Sequence, residues 1–283
     1  MTALPPLTDE LLRHGVAGDG DARIVTLDAR FQGLPDTAHG GTVLALFDAL
    51  ADARDAHRAR AITGVYRRRV PLATPLRLEV ATDADATRFR LSDDAALLVD
   101  GAVAPLVSGD APPAPPPRDG LPLPLSKTCF ACGTENALGL HAELAIDEAT
   151  VGGTWTPRDA LRARDGALAP VAITALLDEA AFWLGAAASG EAGMTTELRV
   201  RLHAPAPFGR VTVAGPRATV RPRAGDPRYW DTEVAAWDAR GTRIASAAIT
   251  FVAVRGAARK LVAGLLAMNP PEVLRRIFPA YAR

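Results

Sequence analysis

Cysteine is scarce in this chain. Two in 283 residues cannot build a disulfide framework, and this is the usage of a reducing compartment. An excess of either charge is also missing: Lys plus Arg equals Asp plus Glu at 32 each. Such a chain has no whole-molecule field to draw in nucleic acid or an acidic membrane surface. There is no Walker loop, Rossmann glycine pattern or serine elbow, which takes away the sequence support for phosphate-cradling, dinucleotide and serine-hydrolase chemistry. The first fifteen residues hold no basic region followed by an apolar core, so we expect no signal peptide and a cytoplasmic location. One apolar run, residues 167–188, has the length of a membrane span, but Asp178 and Glu179 lie together at its centre. Each would cost about 2.5–3.5 kcal/mol on insertion, so the run reads as a buried helix.

Against these absences stands one informative stretch, FQGLPDTAHGGTVLALFDALAD at residues 31–52. Turn residues deliver His39-Gly40-Gly41 to an apolar run containing a single acid, Asp48. Two glycines before such a run predict a tight turn opening a helix over about 41–58, with bare N–H groups at its start that can hold an anion or an oxyanion. Asp48 lies seven residues past Gly41 and returns to nearly the same helical face, where an acid is expensive unless it is used or paired. Residues 167–188 repeat the pattern: Ala-Leu-Leu-Asp at 175–178 matches Ala-Leu-Phe-Asp at 45–48, an offset of 178 − 48 = 130. That offset, roughly half the chain, implies an internal duplication into two like domains. The alternative is two unrelated buried helices.

Strands are expected at 22–31, 62–70, 75–82, 86–92 and 96–104 in the first half. In the second half they are expected at 139–146, 150–155, 195–203, 209–221, 228–238 and 243–254. The domain limits follow as 1–110, a proline-rich linker over 111–126, 127–255, and a helical tail over 256–283.

The approach F-x-G-x-P-x-x-x-H-G-G at 31–41, the acid nine residues past His39, and Cys129-Phe130-Ala131-Cys132-Gly133 with Asn136 and Gly139-Leu140 together resemble the phenylacetate-type acyl-CoA thioesterases. The resemblance covers about residues 22–254. It implies an α+β, tandem (double) hotdog: two central helices, each wrapped by an antiparallel sheet, the helices roughly antiparallel and the sheets merged. In that family one hotdog supplies a helix N-terminus that polarises the thioester carbonyl and the other supplies a carboxylate. Carried onto this chain, the first site joins His39, Gly40 and Gly41 to Asp178 and a hydroxyl at Thr196. Gly33 stands where relatives often have an amide, and Gln32 is the neighbour able to compensate. The second site joins Ala169-Pro170 to Asp48 and Tyr66. Proline has no N–H to donate, so this site should be dead. Arg67, Arg69 and Arg199 are candidate contacts for acyl-CoA. We further expect a homo-oligomer, no cofactor and no metal.

Each residue also has a plainer reading. His39 could simply cap its helix, Asp178 could pair with Arg199 or Arg201, and Asp48 could be structural or vestigial. Glu179 rivals Asp178 for the catalytic role, although helical rotation points it about 100° away. Cys129 and Cys132 are half a zinc site without the other half, since no second Cys-x-x-Cys exists and His141 and His203 are not at ligand spacing. Arginines on alternating strands are usually a solvated face. Beside an acyl-CoA thioesterase, the sequence admits a catalytically silent acyl-CoA or acyl-group binding protein. It also admits a hotdog hydratase or dehydratase, disfavoured because no Asp/His pair stands at its usual spacing.

Overall fold

The computed structural model describes residues 8–51, 59–106 and 120–281. Helix α1 (Thr8–His14) has acids in its first turn and bases in its last, which suits the helix dipole. Strands β1 (Val16–Ala17) and β2 (Ala22–Val25) follow. The strand expected to reach residue 31 stops at Val25. The Asp28 side chain caps a 3-10 turn over Ala29–Phe31 by accepting from the Arg30 N–H at 2.9 Å, which puts Phe31 into the core. Helix α2 spans Gly40–Leu50, and Ala51 is already extended. The remainder of the expected helix, residues 52–58, lies outside the described residues.

Strands β3 (Arg60–Tyr66), β4 (Leu76–Thr82), β5 (Thr87–Ser92) and β6 (Leu97–Pro105) complete the first half. Buried and outward residues alternate along β4 and β5, as one buried face requires. Of the expected linker, residues 111–119 lie outside the described residues. Its end is not a free connection: β7 (Leu121–Pro122) is an edge strand paired with β8 (Ala145–Ile146), the place in a sheet that tolerates proline. The hairpin strand expected from 139 is reduced to β8. The Leu140 and Ala142 N–H groups bond instead to the Phe130 and Ala131 carbonyls, at 2.7 and 2.9 Å.

Then come β9 (Thr150–Trp155), helix α3 (Pro170–Ser189), β10 (Gly193–Leu202), β11 (Val211–Pro216), β12 (Arg221–Arg223), β13 (Asp226–Trp237) and β14 (Arg243–Ala253). A 3-10 turn over Arg217–Thr219 divides the single strand expected at 209–221. Pro170 opens α3 and Gly190, with φ of 68°, closes it, the usual placement of the two residues.

All these strands join one antiparallel sheet, in the order β1-β2-β4-β5-β6-β3-β10-β14-β13-β11-β9-β8-β7, with β12 on β13. The halves meet where β3 pairs β10, from Arg60 opposite Leu202 to Val65 opposite Glu197. Helix α2 packs on β3 and β6, and α3 on β13, β14 and β11. The helices also touch each other, with Gly41 against Thr174 and Ala175. Helix α3 is long and apolar enough to cross a membrane by composition, yet its side chains are almost all enclosed by protein. The tail forms α4 (Ala257–Leu265) and α5 (Pro271–Ile277). Asn269 ties it down by accepting from the Leu125 N–H at 2.8 Å and donating to the Leu125 carbonyl at 2.7 Å. The Phe278 ring meets Trp183 of α3 at 6.3 Å.

Candidate active site

His39 is the N-cap of α2. Its neighbours have no side chains for a physical reason. A Cβ on Gly41 would lie 2.5 Å from the Thr174 carbonyl oxygen, and one on Gly40 would lie 2.8 Å from Asp178 Oδ2. The two glycines therefore let α3 bring a carboxylate up to the first turn of α2. Asp178 Oδ2 stands 3.0 Å from the Gly41 N and 3.1 Å from His39 Nδ1, and Asp178 Oδ1 accepts from Thr195 Oγ1 at 2.6 Å. The second imidazole nitrogen, Nε2, lies 3.6 Å from Glu179 Oε2, while Glu179 Oε1 accepts from the Trp183 indole N–H at 2.8 Å. His39, Asp178 and Glu179 are each only 5% exposed, so these are interactions in a low-dielectric interior.

The electrostatics follow from the geometry. Burial pushes the His39 imidazole down, but hydrogen bonds to Asp178 and Glu179 outweigh it and raise it well above its usual value. With Nδ1 protonated, the Gly41 N–H belongs to the carboxylate rather than to the ring 3.2 Å away. Burial likewise pushes Asp178 up, and the hydrogen bonds from His39, Thr195 and Gly41 more than reverse it, holding the carboxyl below its usual range. The site thus presents an ionised carboxylate at a helix N-terminus. Tyr66 donates to the Gly40 carbonyl at 2.6 Å, which fixes the peptide following Gly40. Burial, then the charge of Asp178, raises its phenol well above the ordinary value.

These groups line a cavity of about 120 Å³ with Leu34, Val70, Phe182, Trp183, Met194, and Leu261 and Leu265 of the tail. Arg68 and Arg69 stand on its wall. Cys129 and Cys132 also face it, because their loop docks on the approach to α2. The Phe130 N–H donates to the Gln32 carbonyl at 2.6 Å, Asn136 Nδ2 donates to the Arg30 carbonyl at 2.7 Å, and the Phe31 and Phe130 rings lie 5.4 Å apart. The Cys-x-x-Cys-Gly stretch and its Asn are therefore a clasp between the two halves.

The structure brings together His39, Gly40, Gly41, Asp178, Gly33 and Arg69 as the sequence suggested, and moves several other residues. The hydroxyl on Asp178 comes from Thr195, not Thr196. A bulge in β10 makes Thr196 the extra residue, and its hydroxyl bonds the Thr250 carbonyl at 3.2 Å. Tyr66 belongs to this first site rather than to the second. Glu179 does not turn away, since it faces His39 from the other ring nitrogen. Gln32 cannot compensate for Gly33, because its half-buried amide donates to Thr128 Oγ1 at 2.5 Å and accepts from the Asp36 N–H at 3.2 Å. Arg67 is an exposed partner of Asp100 at 3.9 Å. Arg199 pairs with Glu197 at 3.3 Å and lines a separate surface groove with Arg201. The tail does not merely cover the sheet, because Leu261 and Leu265 reach the cavity.

No protein-family model matches the sequence, and no curated protein does. Solved structures match along most of the chain. A protein of Thermobifida fusca YX, provisionally named a thioesterase II, shares 18% identity with a TM-score of 0.59, covering 87% of this chain and 99% of that one. A tesB protein of Mycobacterium avium subs paratuberculosis gives 12%, 0.62, 88% and 99%. A conserved protein with a hot dog fold from Alicyclobacillus acidocaldarius gives 15%, 0.58, 89% and 99%. The chain has the hotdog fold. Hotdog dehydratases match it as well, the GphF dehydratase 1 at 16% and 0.57 over 84% and 96%, so the fold alone does not decide the chemistry.

The other helix mouth of this hotdog chain is built differently. Pro170 at the first position of α3 offers no N–H, and Ala169 supplies no side-chain cap. Asp48 does lie near this mouth, in a larger cavity of about 520 Å³ that also holds Asp9, Arg13, Arg60 and Pro170. Its carboxylate is held by Arg60, with Nε and Nη2 on the two oxygens, and both side chains are nearly fully buried. Arg60, 12 residues past Asp48, stands beside its acid as Thr195 stands beside Asp178. The arginine clamp occupies the Asp48 carboxylate, and the proline takes one N–H from the first turn of α3.

Proposed function

We propose that the chain is a tandem double hotdog, with α2 and α3 as its two central helices. We further propose that it hydrolyses an acyl thioester, of coenzyme A, at the single centre formed by His39, Gly40, Gly41, Tyr66, Asp178 and Thr195. The observation that carries this reading is the ionised Asp178 carboxylate of one half standing 3.0 Å from the first-turn Gly41 N–H of the other.

In the proposed reaction the thioester carbonyl oxygen lies against the Gly40 N–H, one of the donors that a helix start leaves without an intrahelical partner. The dipole of α2 favours the negative charge developing there. Asp178 draws a proton from water as the water oxygen attacks the carbonyl carbon. The C–S bond then breaks, with its electron pair leaving on the thiolate. Thr195 and the Gly41 N–H hold the carboxylate in line, and Tyr66 holds the peptide after Gly40. The acyl group occupies the apolar cavity between Phe182, Trp183 and the tail leucines, with the coenzyme phosphates near Arg68 and Arg69.

One observation favours a second reading. His39 and Asp178 make an imidazole–carboxylate pair across the two halves at 3.1 Å, the acid/base pair that a dehydratase needs. A single experiment separates the readings: the purified chain is given a panel of acyl-CoA thioesters, including 3-hydroxyacyl ones, and both free thiol and enoyl product are followed. Thiol release that is abolished by Asp178→Asn, with acyl-CoA binding kept, is the expected result. Water loss without thiol release would establish the dehydratase reading instead, and binding with neither product would mark a silent acyl-CoA binder.

A further inference from the structure

The proposed hydrolytic centre leaves two buried side chains unused, Cys129 and Glu179, together with the far ring nitrogen of His39. Cys129, from the docked loop, lies with its Sγ 4.0 Å from Glu179 Oε2, on the side where His39 Nε2 approaches the same oxygen at 3.6 Å. The nitrogen, sulfur and oxygen ligand atoms of His39, Cys129 and Glu179 all fall within 4.8 Å of one another. We infer that these three side chains form a binding site for a thiophilic divalent cation of the zinc type, with an open position toward the cavity.

The donor set decides the class of ion. Imidazole and thiolate with one carboxylate suit zinc and disfavour calcium or magnesium, which take oxygen ligands. Partners behind the ligands support the same reading. Histidines that bind metals donate their other ring N–H to a carboxylate or a carbonyl, and His39 Nδ1 has Asp178 Oδ2 at 3.1 Å. That hydrogen bond leaves Nε2 as the nitrogen to coordinate. The Trp183 N–H holds Glu179 Oε1 at 2.8 Å and so turns Oε2 toward the other two ligands. The Cys129 backbone N–H is tied to Ser126 Oγ at 3.0 Å, which holds the thiol in place. On binding, the ion replaces the protons of Cys129 Sγ and His39 Nε2, and no electrons move. All three ligands line the cavity, and three protein ligands with a fourth position open is the pattern of open rather than closed structural zinc sites. The sequence could not show this set, since its members lie 90 and 50 residues apart.

The test uses the full chain, stripped of metal and then titrated with Zn²⁺ or Co²⁺, with no thioester present. About one ion per chain and a thiolate-to-cobalt charge-transfer absorption are expected. Cys129→Ser should abolish that absorption, and Glu179→Gln should weaken zinc binding while the absorption persists at saturation. Trp183→Phe, which touches no metal, should weaken binding about 10–100-fold. Cys132→Ser should bind as the wild type does. Melting curves of every variant confirm that it is folded before titration. The inference is overturned if the wild type shows no stoichiometric cobalt–thiolate absorption. It is equally overturned if a folded Cys129→Ser or Glu179→Gln variant binds zinc like the wild type, or if Cys132→Ser loses binding as completely as Cys129→Ser.

Discussion

Replacing either of two adjacent glycines by alanine adds the same methyl group, yet the two changes should fail in different ways. The Gly41 methyl would meet backbone: Thr174 O at 2.5 Å and Ala175 Cα and N at 2.6 Å each. Carbon contacts settle at about 3.5–4.0 Å, so α2 and α3 must separate by roughly 1 Å. Overpacking of this kind costs about 1–3 kcal/mol, and at the second residue of α2 alanine does not recover the propensity gain of a helix interior. At about 2–4 °C per kcal/mol, the melting temperature should fall by roughly 2–12 °C. The same separation carries Asp178 from 3.0 Å to about 4 Å from the Gly41 N–H, beyond hydrogen-bond range. Gly40→Ala meets a side chain rather than backbone, Asp178 Oδ2 at 2.8 Å, which can turn aside without parting the helices. It should melt above Gly41→Ala while losing about 10²-fold in hydrolysis, because a misplacement of this order is enough for that. Thermal denaturation followed by tryptophan fluorescence measures the first effect, and thiol release from acyl-CoA measures the second. If Gly41→Ala melts at or above the wild type, or the two variants melt together, the close helix contact described here is wrong.

Thr195→Val removes a charge-assisted hydrogen bond to a buried carboxylate, worth about 1.5–3 kcal/mol. It should therefore cut hydrolysis by at least tenfold, whereas Thr196→Val, whose hydroxyl serves the Thr250 carbonyl, should leave turnover nearly unchanged. Arg60→Met strands the buried Asp48 carboxylate and should destabilise the chain by about 3–5 kcal/mol, with hydrolysis per folded molecule retained; equal losses of both would return Asp48 to the chemistry. Burial raises the Asp9 carboxyl to about 6 from its ordinary 3.8. The native state then holds a proton that the unfolded chain has released, so its contribution is full below about 4 and is lost as pH rises through about 6. Asp9→Asn should consequently gain on the wild type in denaturation midpoint above pH 6 and show no advantage below 4.

The parts legible in the sequence were those with a local cost. An acid in an apolar run and two glycines before a helix each demand an explanation, so His39, Gly40, Gly41 and Asp178 could be named from the pattern alone. The partner on the following strand could not. The repeat keeps an offset of 130 at the acids, but Thr195 lies 17 residues past Asp178 and Arg60 only 12 past Asp48. Residues aligned by constant offset therefore drift out of register after the helix, which is how Thr196 and Tyr66 were set in the wrong places. Arg199 was open to correction by alternation, because its neighbours Leu198 and Val200 point into the core and leave it outside. Glu179 escaped the helical-rotation argument because an imidazole has two nitrogens facing different ways, and a helix enclosed on nearly all sides meets something at every angle. The docking of Leu261 and Leu265 depends on where an amphipathic helix lands, which its own periodicity does not encode.

The site of two halves has a consequence for how the chain comes into being. Synthesis runs from the N-terminus, and halves fold as they emerge. The Asp48–Arg60 clamp lies wholly within the first half and can close early. The centre at His39 has to wait for Asp178, for Thr195 and for the tail leucines at 261 and 265. A product ending before residue 178 therefore lacks the acid of the proposed centre, and should cleave no thioester however much of its first half has folded.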